Sequence, residues 1–295
     1  MILRDLLDRL PPRGLDGLAF PRGLLGAFRR KSISFSNGLT DETSIVFWFQ
    51  SKSFTIDLRL PDGAATPLVD RQGWVGDTLW DEGRQHMSWR IARSYQPRDQ
   101  WPEPASLRFI GNSVIEFAPS GAYVEDWRQQ CVRGPLLGLR LISLRDGDDS
   151  PAQPMAGGLI LAGEHAAYAQ SRRPGLDEAL RSAASLEQAL SNGIATEQQI
   201  ESYDVSVALQ GGQINHSTQP QRLGQDIFSG DWAVQPDGVI ALTRTVDGRT
   251  CHLRFVLDLH EPDFQFIRET PVTPAASQWM EDQKQHLFRH ASVAR

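Results

Sequence analysis

One carboxylate in this chain stands out by its company. Around Glu125 the run Ile115-Glu-Phe-Ala-Pro-Ser-Gly-Ala-Tyr-Val-Glu-Asp-Trp127 reads as a hairpin, with alternating segments at 114–118 and 122–128 on either side of Pro119-Ser120-Gly121. Proline, a polar residue and then glycine suit a type I turn whose third loop residue is left-handed. Such a three-residue loop pairs Ala118 with Ala122. The two-residue period of a strand then gathers Ile115, Phe117, Tyr123, Glu125 and Trp127 on one face, and Val114, Glu116, Val124 and Asp126 on the other. Burial on so aromatic a face favours the protonated form of a carboxyl group, which makes Glu125 the candidate general acid or base. A four-residue loop over 119–122 is the alternative register. It sets Glu116 opposite Glu125 as a carboxylate dyad with one raised pKa, although the turn chemistry favours the shorter loop. The competing structural reading is a glutamate bonded to a buried arginine or tyrosine, or wet at a barrel mouth.

Trp48, Gln50, Trp89, Tyr123 and Trp127 are the candidate lining of a pocket for an aromatic or isoprenoid-like ligand; aromatic core packing explains them equally well. A binder of this kind encloses a cavity of roughly a few hundred Å³. Asp57 and Arg59 fall on the polar face of their strand, where an exterior salt pair is expected. Glu164-His165 and His216-Ser217 are adjacent in strands and point opposite ways, so neither is a preassembled pair. His286 and His290 have two-ligand spacing but no third partner, so no metal site is expected. There is no Gly-x-Ser-x-Gly elbow, no Gly-x4-Gly-Lys-Ser/Thr, no Gly-x-Gly-x-x-Gly and no His-Glu-x-x-His. No cofactor is expected.

The elements that position these residues are mostly strands. After a short apolar pattern at Ile2, Leu3, Leu6, Leu7 and Leu10, stopped by Pro11-Pro12, the period turns from helical to alternating near Lys31. Short strands are predicted at 32–36, 44–50, 53–60, 74–80, 85–92, 107–111 and 135–144, with turn signals such as Ser36-Asn37-Gly38 and Pro61-Asp62-Gly63 between them. In 53–60, Phe54, Ile56, Leu58 and Leu60 share one face. Residues 145–151 read as a linker, 157–163 as a buried strand, and Ala179, Ala183, Leu186 and Leu190 as one helix over 176–191 with Gly193 at its C-terminal cap. Strands resume at 203–209, 213–217, 239–245 and 251–259, and Thr273-Pro274 opens a closing helix.

The segments Ser44-Ile-Val-Phe-Trp-Phe-Gln50, Thr55-Ile-Asp-Leu-Arg-Leu60 and Gly121-Ala-Tyr-Val-Glu-Asp-Trp-Arg128 resemble an uncharacterised bacterial family. Gly158-Leu-Ile-Leu-Ala-Gly-Glu-His165 and His216-Ser-Thr-Gln-Pro220 resemble later segments of the same family. More distantly, residues 40–260 are similar to fungal proteins built from two lipocalin-like (calycin) barrels. The resemblance implies a two-barrel fold and carries no catalytic residues with it.

The expected architecture is therefore mostly β: an N-terminal helical arm at 1–29, a first lipocalin-like antiparallel barrel at 30–147, a second at 152–268, and a C-terminal helix at 269–295. A net charge of −6 argues against a nucleic-acid partner. Residues 1–31, with seven basic and three acidic side chains, could rest on an anionic membrane as a basic arm, but packing against their own domain or staying mobile is expected. Two distant cysteines, no signal-peptide pattern and no long apolar run point to the cytoplasm. The expected function is binding of a small apolar or aromatic molecule in a barrel. The alternatives are a cofactor-independent cyclase, isomerase or hydrolase using acid–base chemistry, and a protein-interaction module with filled barrels. The sequence leaves the oligomeric state open.

Overall fold

The computed structural model describes residues 3–98, 103–246 and 249–293, so Ile2, first in the N-terminal apolar pattern, lies outside the described residues. Nine strands form the first sheet: β1 (Gly26–Phe35), β2 (Thr40–Asp41), β3 (Ile45–Gln50), β4 (Phe54–Leu60), β5 (Gln72–Asp81), β6 (His86–Ser94), β7 (Ala105–Ile110), β8 (Ser113–Phe117) and β9 (Tyr123–Gln129). They follow one another antiparallel, and β9 returns to pair with β1, so eight strands close into a barrel with β2 as a flap on β1.

The second sheet comprises β10 (Arg133–Asp146), β11 (Gln153–Ala162), β12 (His165–Gln170), β13 (Asp204–Ala208), β14 (Ile214–Ser217), β15 (Asp231–Val234), β16 (Ile240–Val246) and β17 (Arg249–Gln265). Its order, β14-β13-β12-β11-β10-β17-β16-β15, leaves β14 and β15 as edges. The protein is thus one closed eight-stranded barrel joined to an open eight-stranded sheet, where the sequence predicts two barrels.

Strand membership also differs at the junction. The strand predicted at 135–144 pairs with β11 and β17, so it belongs to the second sheet. Residues 145–151 are then the end of β10 and its turn towards β11, with Gly147 left-handed (φ +63°) and its N–H bonded to Thr250. The alternation in β17 is as predicted from Cys251 through Leu253 and Phe255 to Leu257, which are buried in the core of the second sheet; a bulge beside Leu257 then turns Leu259, also buried, into the core shared with the barrel. The predicted strands omit β2, β12 and β15.

The helices are short. α1 (Leu3–Leu7) packs against β15, and Leu6 and Leu10 are buried in the core of the second sheet. The helix predicted over 176–191 is two, α2 (Pro174–Arg181) and α3 (Leu186–Ser191), because the Ser185 side chain accepts the Gln188 N–H and starts a new helix. Gly193 (φ +67°) follows α3 in the left-handed conformation expected of it. After α4 (Glu197–Glu201), the chain ends in α5 (Pro274–Asp282), capped by Thr273, and α6 (Lys284–Leu287). Among the described residues no helix is long and apolar enough to cross a membrane.

The two sheets share a core where they meet, distinct from the one on the second sheet's far side, and this decides which way β4 faces. Phe47 and Phe49 of β3 and Ile56 and Leu58 of β4 pack with Ile160, Ala167, Val205 and Val207 of the second sheet. The approach is close enough that a Cβ on Gly73 would lie 2.8 Å from Val205, and one on Gly158 2.7 Å from the Phe54 ring. With its apolar face spent on that contact, β4 turns Asp57 and Arg59 into the barrel. The exterior salt pair expected from sequence is an interior one: the barrel's outer surface here is covered by another sheet, so the apolar face of β4 is the outer face.

Candidate functional site

The hairpin at the heart of the sequence reading adopts the four-residue loop. Ala118 N–H bonds to the Tyr123 carbonyl (3.1 Å), and Glu116 lies directly opposite Glu125. The local turn is nevertheless the predicted one, with Gly121 left-handed (φ +74°) and its N–H on the Ala118 carbonyl. What shifts the register is Ala122. Its N–H is taken by the Ser120 hydroxyl (3.2 Å), Ser120 is itself held by Glu103, and the Ala122 carbonyl accepts from Ser36. Ala122 therefore drops out of the β8–β9 ladder, and one extra loop residue exchanges the two faces of β8.

Val114, Glu116 and Ala118 now point inward with Tyr123, Glu125 and Trp127, whereas Ile115 and Phe117 point out. The outcome runs against simple partitioning: Phe117 is 46% exposed while Glu116 is 5% exposed.

Both glutamates line a cavity of ≈ 70 Å³, together with Trp48, Trp74, Trp89, Trp127, Asp57 and Arg59. The exposed side chain of Arg98 marks its open side. The cavity is much smaller than the few hundred Å³ expected of an enclosing binder. Trp48 is the hub of its walls: it stacks on Phe28 at 4.8 Å and meets the edges of Trp127 and Trp89 at 5.7 and 6.1 Å. Trp74 adds an edge contact to Trp89 at 5.8 Å. Along the sheet, Asp57 is the register partner of Trp48 on one side and of Trp74 on the other. The buried indole N–H of Trp89 has no hydrogen-bond partner among the described residues.

The carboxyl groups are held unequally. Glu125 accepts from Arg30 Nη1 at 2.8 Å, and a bulge between Arg30 and Ser32 of β1 puts that arginine in position; its other nitrogen reaches Asp41 at 3.0 Å. Trp127 Nε1 donates to both Glu116 Oε2 and Glu125 Oε2, at 3.1 Å each, and the Tyr123 hydroxyl donates to Glu116 Oε1 at 3.2 Å. Burial, and then the charge of Glu125, push the Glu116 carboxyl up to about 8; Arg59, Tyr123 and Trp127 pull the other way and do not prevail. The Tyr123 phenol is also raised, by burial and by the two glutamates. Arg59 donates to Asp57 at 2.8 Å. Burial works against its charge, but Asp57, Glu125 and Glu116 more than offset this and raise its pKa. The arrangement is a carboxyl group of raised pKa facing one that is paired with an arginine.

Of the residues predicted from sequence, Trp48, Trp89, Tyr123, Glu125 and Trp127 come together in this cavity. Gln50 stands behind it: its carboxamide oxygen accepts from Trp48 Nε1 at 3.2 Å, and its nitrogen donates to Thr78 and to the Ser51 carbonyl, both at 2.7 Å. It fixes the hub of the wall. The role expected of Glu125 fits Glu116 better, because Glu125 is locked by an arginine. Sequence reasoning missed Trp74, Arg30 and the inward turn of Asp57 and Arg59. The signal for Glu116 lay in the alternative loop length.

By fold and site the chain is a closed antiparallel barrel with an aromatic-walled, carboxyl-lined pocket, backed by an open sheet. No family model matches the sequence, and no curated protein or solved structure matches it significantly.

Proposed function

We propose that the first barrel, calycin-like in its closed eight-stranded form, binds a small apolar or aromatic molecule that inserts one end between the four tryptophans. The observation that carries this reading is the convergence of Trp48, Trp74, Trp89 and Trp127 on one pocket that also contains the Glu116–Glu125 pair. A cavity of ≈ 70 Å³ admits a ring or a branched terminus rather than a whole ligand. The ligand end that fits carries a hydrogen-bond acceptor, for the proton of Glu116 and the unpartnered N–H of Trp89. Two cysteines far apart in the sequence, in no metal-ligand spacing, suit a reducing compartment, so we propose the cytoplasm.

The test is tryptophan fluorescence and thermal shift with 2-naphthol and geraniol as probes. Saturable binding in the wild type, weakened at least tenfold in Trp74→Ala, supports the reading. Probes that bind neither protein, or bind both equally, contradict it.

The dyad favours a second reading, acid–base catalysis on the bound molecule. Two carboxyls in unequal surroundings, Glu116 raised by burial and Glu125 held by Arg30, suit the pairing of acid and base. Glu116 would give its proton to a substrate carbon–carbon double bond, whose electron pair forms the new C–H bond, and Glu125 would remove a proton from the neighbouring carbon. The net change is an isomerisation, and transfer of the proton from Glu125 back to Glu116 resets the site. Glu116→Gln keeps the shape and removes the transferable proton, so it should lower turnover of such a substrate by roughly 10²-fold or more while leaving probe binding in place.

A further inference from the structure

The second sheet holds a cavity of opposite chemistry. Beside the ends of β12, β13 and β16, a cavity of ≈ 720 Å³ is lined by arginine, glutamine, serine and threonine side chains with Glu201, Asp204 and Asp231, and no tryptophan is among them. Arg222 and Arg244 both lie over the ring of buried Tyr168, at 5.5 and 4.7 Å. Arg222 is ion-paired with Asp204. Arg244 has only neutral acceptors among the described residues, Tyr168 Oη at 3.0 Å and Gln170 Oε1 at 2.8 Å, and its buried Nε has no partner. Arg173, on the same wall, pairs through one nitrogen with Asp146 and leaves the other buried and unpartnered.

The acidic groups near this cluster are distributed unevenly among its arginines. Asp204 and Asp146 each pair with one guanidinium of three, and Arg244 has no ion pair among the described residues. Glu201 also lines the cavity but is taken by Arg71 at 2.6 Å, Arg172 is bound by backbone carbonyls and Asp177, and Asp231 stands exposed at the rim. Buried N–H groups in native proteins almost always have partners, and a planar guanidinium presents paired donors that match the oxygens of a carboxylate or phosphate.

We propose that this cavity is a second ligand site, for a small polar molecule bearing a carboxylate or phosphate group that Arg244 grips, with Arg173 and Arg222 beside it. The volume suits a metabolite-sized ligand. The site is independent of the barrel pocket: the two share no lining residue.

Calorimetric titration of the full chain at fixed ionic strength tests it, with glucose 6-phosphate, citrate and inorganic phosphate as anionic probes and glucose as the neutral control. At least one anion should bind with a dissociation constant on the order of 1 mM or tighter, and glucose should not. Arg244→Gln and, separately, Ser229→Glu at the exposed rim should each weaken that binding at least tenfold, whereas Glu116→Gln should leave it unchanged. Should Arg244→Gln fail to fold, Ser229→Glu and hydrogen exchange on the wild type decide: the bound anion should slow exchange in β12 and β16. The proposal is overturned if no anionic probe binds, if glucose binds as well as glucose 6-phosphate, if binding survives either cavity substitution, or if Glu116→Gln abolishes it.

Discussion

Glu116 and Glu125 face each other across β8 and β9 and share one donor, the indole N–H of Trp127, at 3.1 Å from each. Like charges directly opposite on neighbouring strands are destabilising, and the two sites answer this differently. Glu125 has Arg30 at 2.8 Å, and Glu116 keeps its proton.

That proton links folding to pH. In the unfolded chain Glu116 ionises near 4.5, and in the fold near 8, so between these values the native state holds a proton that the unfolded state has lost. Stability from this group is fully present below the lower value and falls as pH rises to the upper one, with a slope of up to about 1.4 kcal/mol per pH unit. Glu116→Gln is neutral throughout. Urea unfolding at pH 5, 6.5 and 8 should therefore show the wild type losing stability relative to this variant as pH rises; parallel curves would contradict the assignment.

Arg30 compensates two carboxylates, Glu125 and Asp41. Arg30→Met should cost about 3–5 kcal/mol at pH 8, because it strands a buried charge, and Arg30→Met/Glu125→Gln should recover part of that loss. Chemical denaturation of both variants checks this; a double variant no more stable than the single one would contradict it.

The contact between the sheets leaves no room at Gly73. A Cβ there lies 2.8 Å from Val205 Cγ2 and 3.1 Å from the Asp57 carbonyl. Gly73→Ala should destabilise by about 1–3 kcal/mol, and Val205→Ala in the same chain should relieve some of the strain. Thermal unfolding of the two variants is the measurement, and additivity of their effects would argue against the contact.

Much of the fold was legible because strand alternation and turn residues are local. The row Cys251, Leu253, Phe255 and Leu257 and the left-handed Gly121 and Gly193 follow from short-range rules. What failed was non-local. Alternation in β4 separates Phe54, Ile56 and Leu58 from Asp57 and Arg59, but it cannot say which set faces the barrel when a second sheet covers the outside. The hairpin faces turned on a single loop residue, Ala122, whose N–H is taken by Ser120 while Ser120 is held by Glu103, seventeen positions away. The site was half visible for the same reason. Trp48, Trp89, Tyr123, Glu125 and Trp127 are conspicuous by type, whereas Glu116 is conspicuous only once the register is known.

Carbon-13 NMR titration of the glutamate side-chain carboxyls measures directly whether Glu116 is the acid of the pair. One carboxyl resonance should titrate near pH 8, vanish in Glu116→Gln, and move to lower pH in Glu125→Gln, where the opposing charge is gone. If no glutamate titrates above about pH 7, or if the high-pH resonance survives Glu116→Gln, the barrel does not contain the protonated carboxyl on which this account rests.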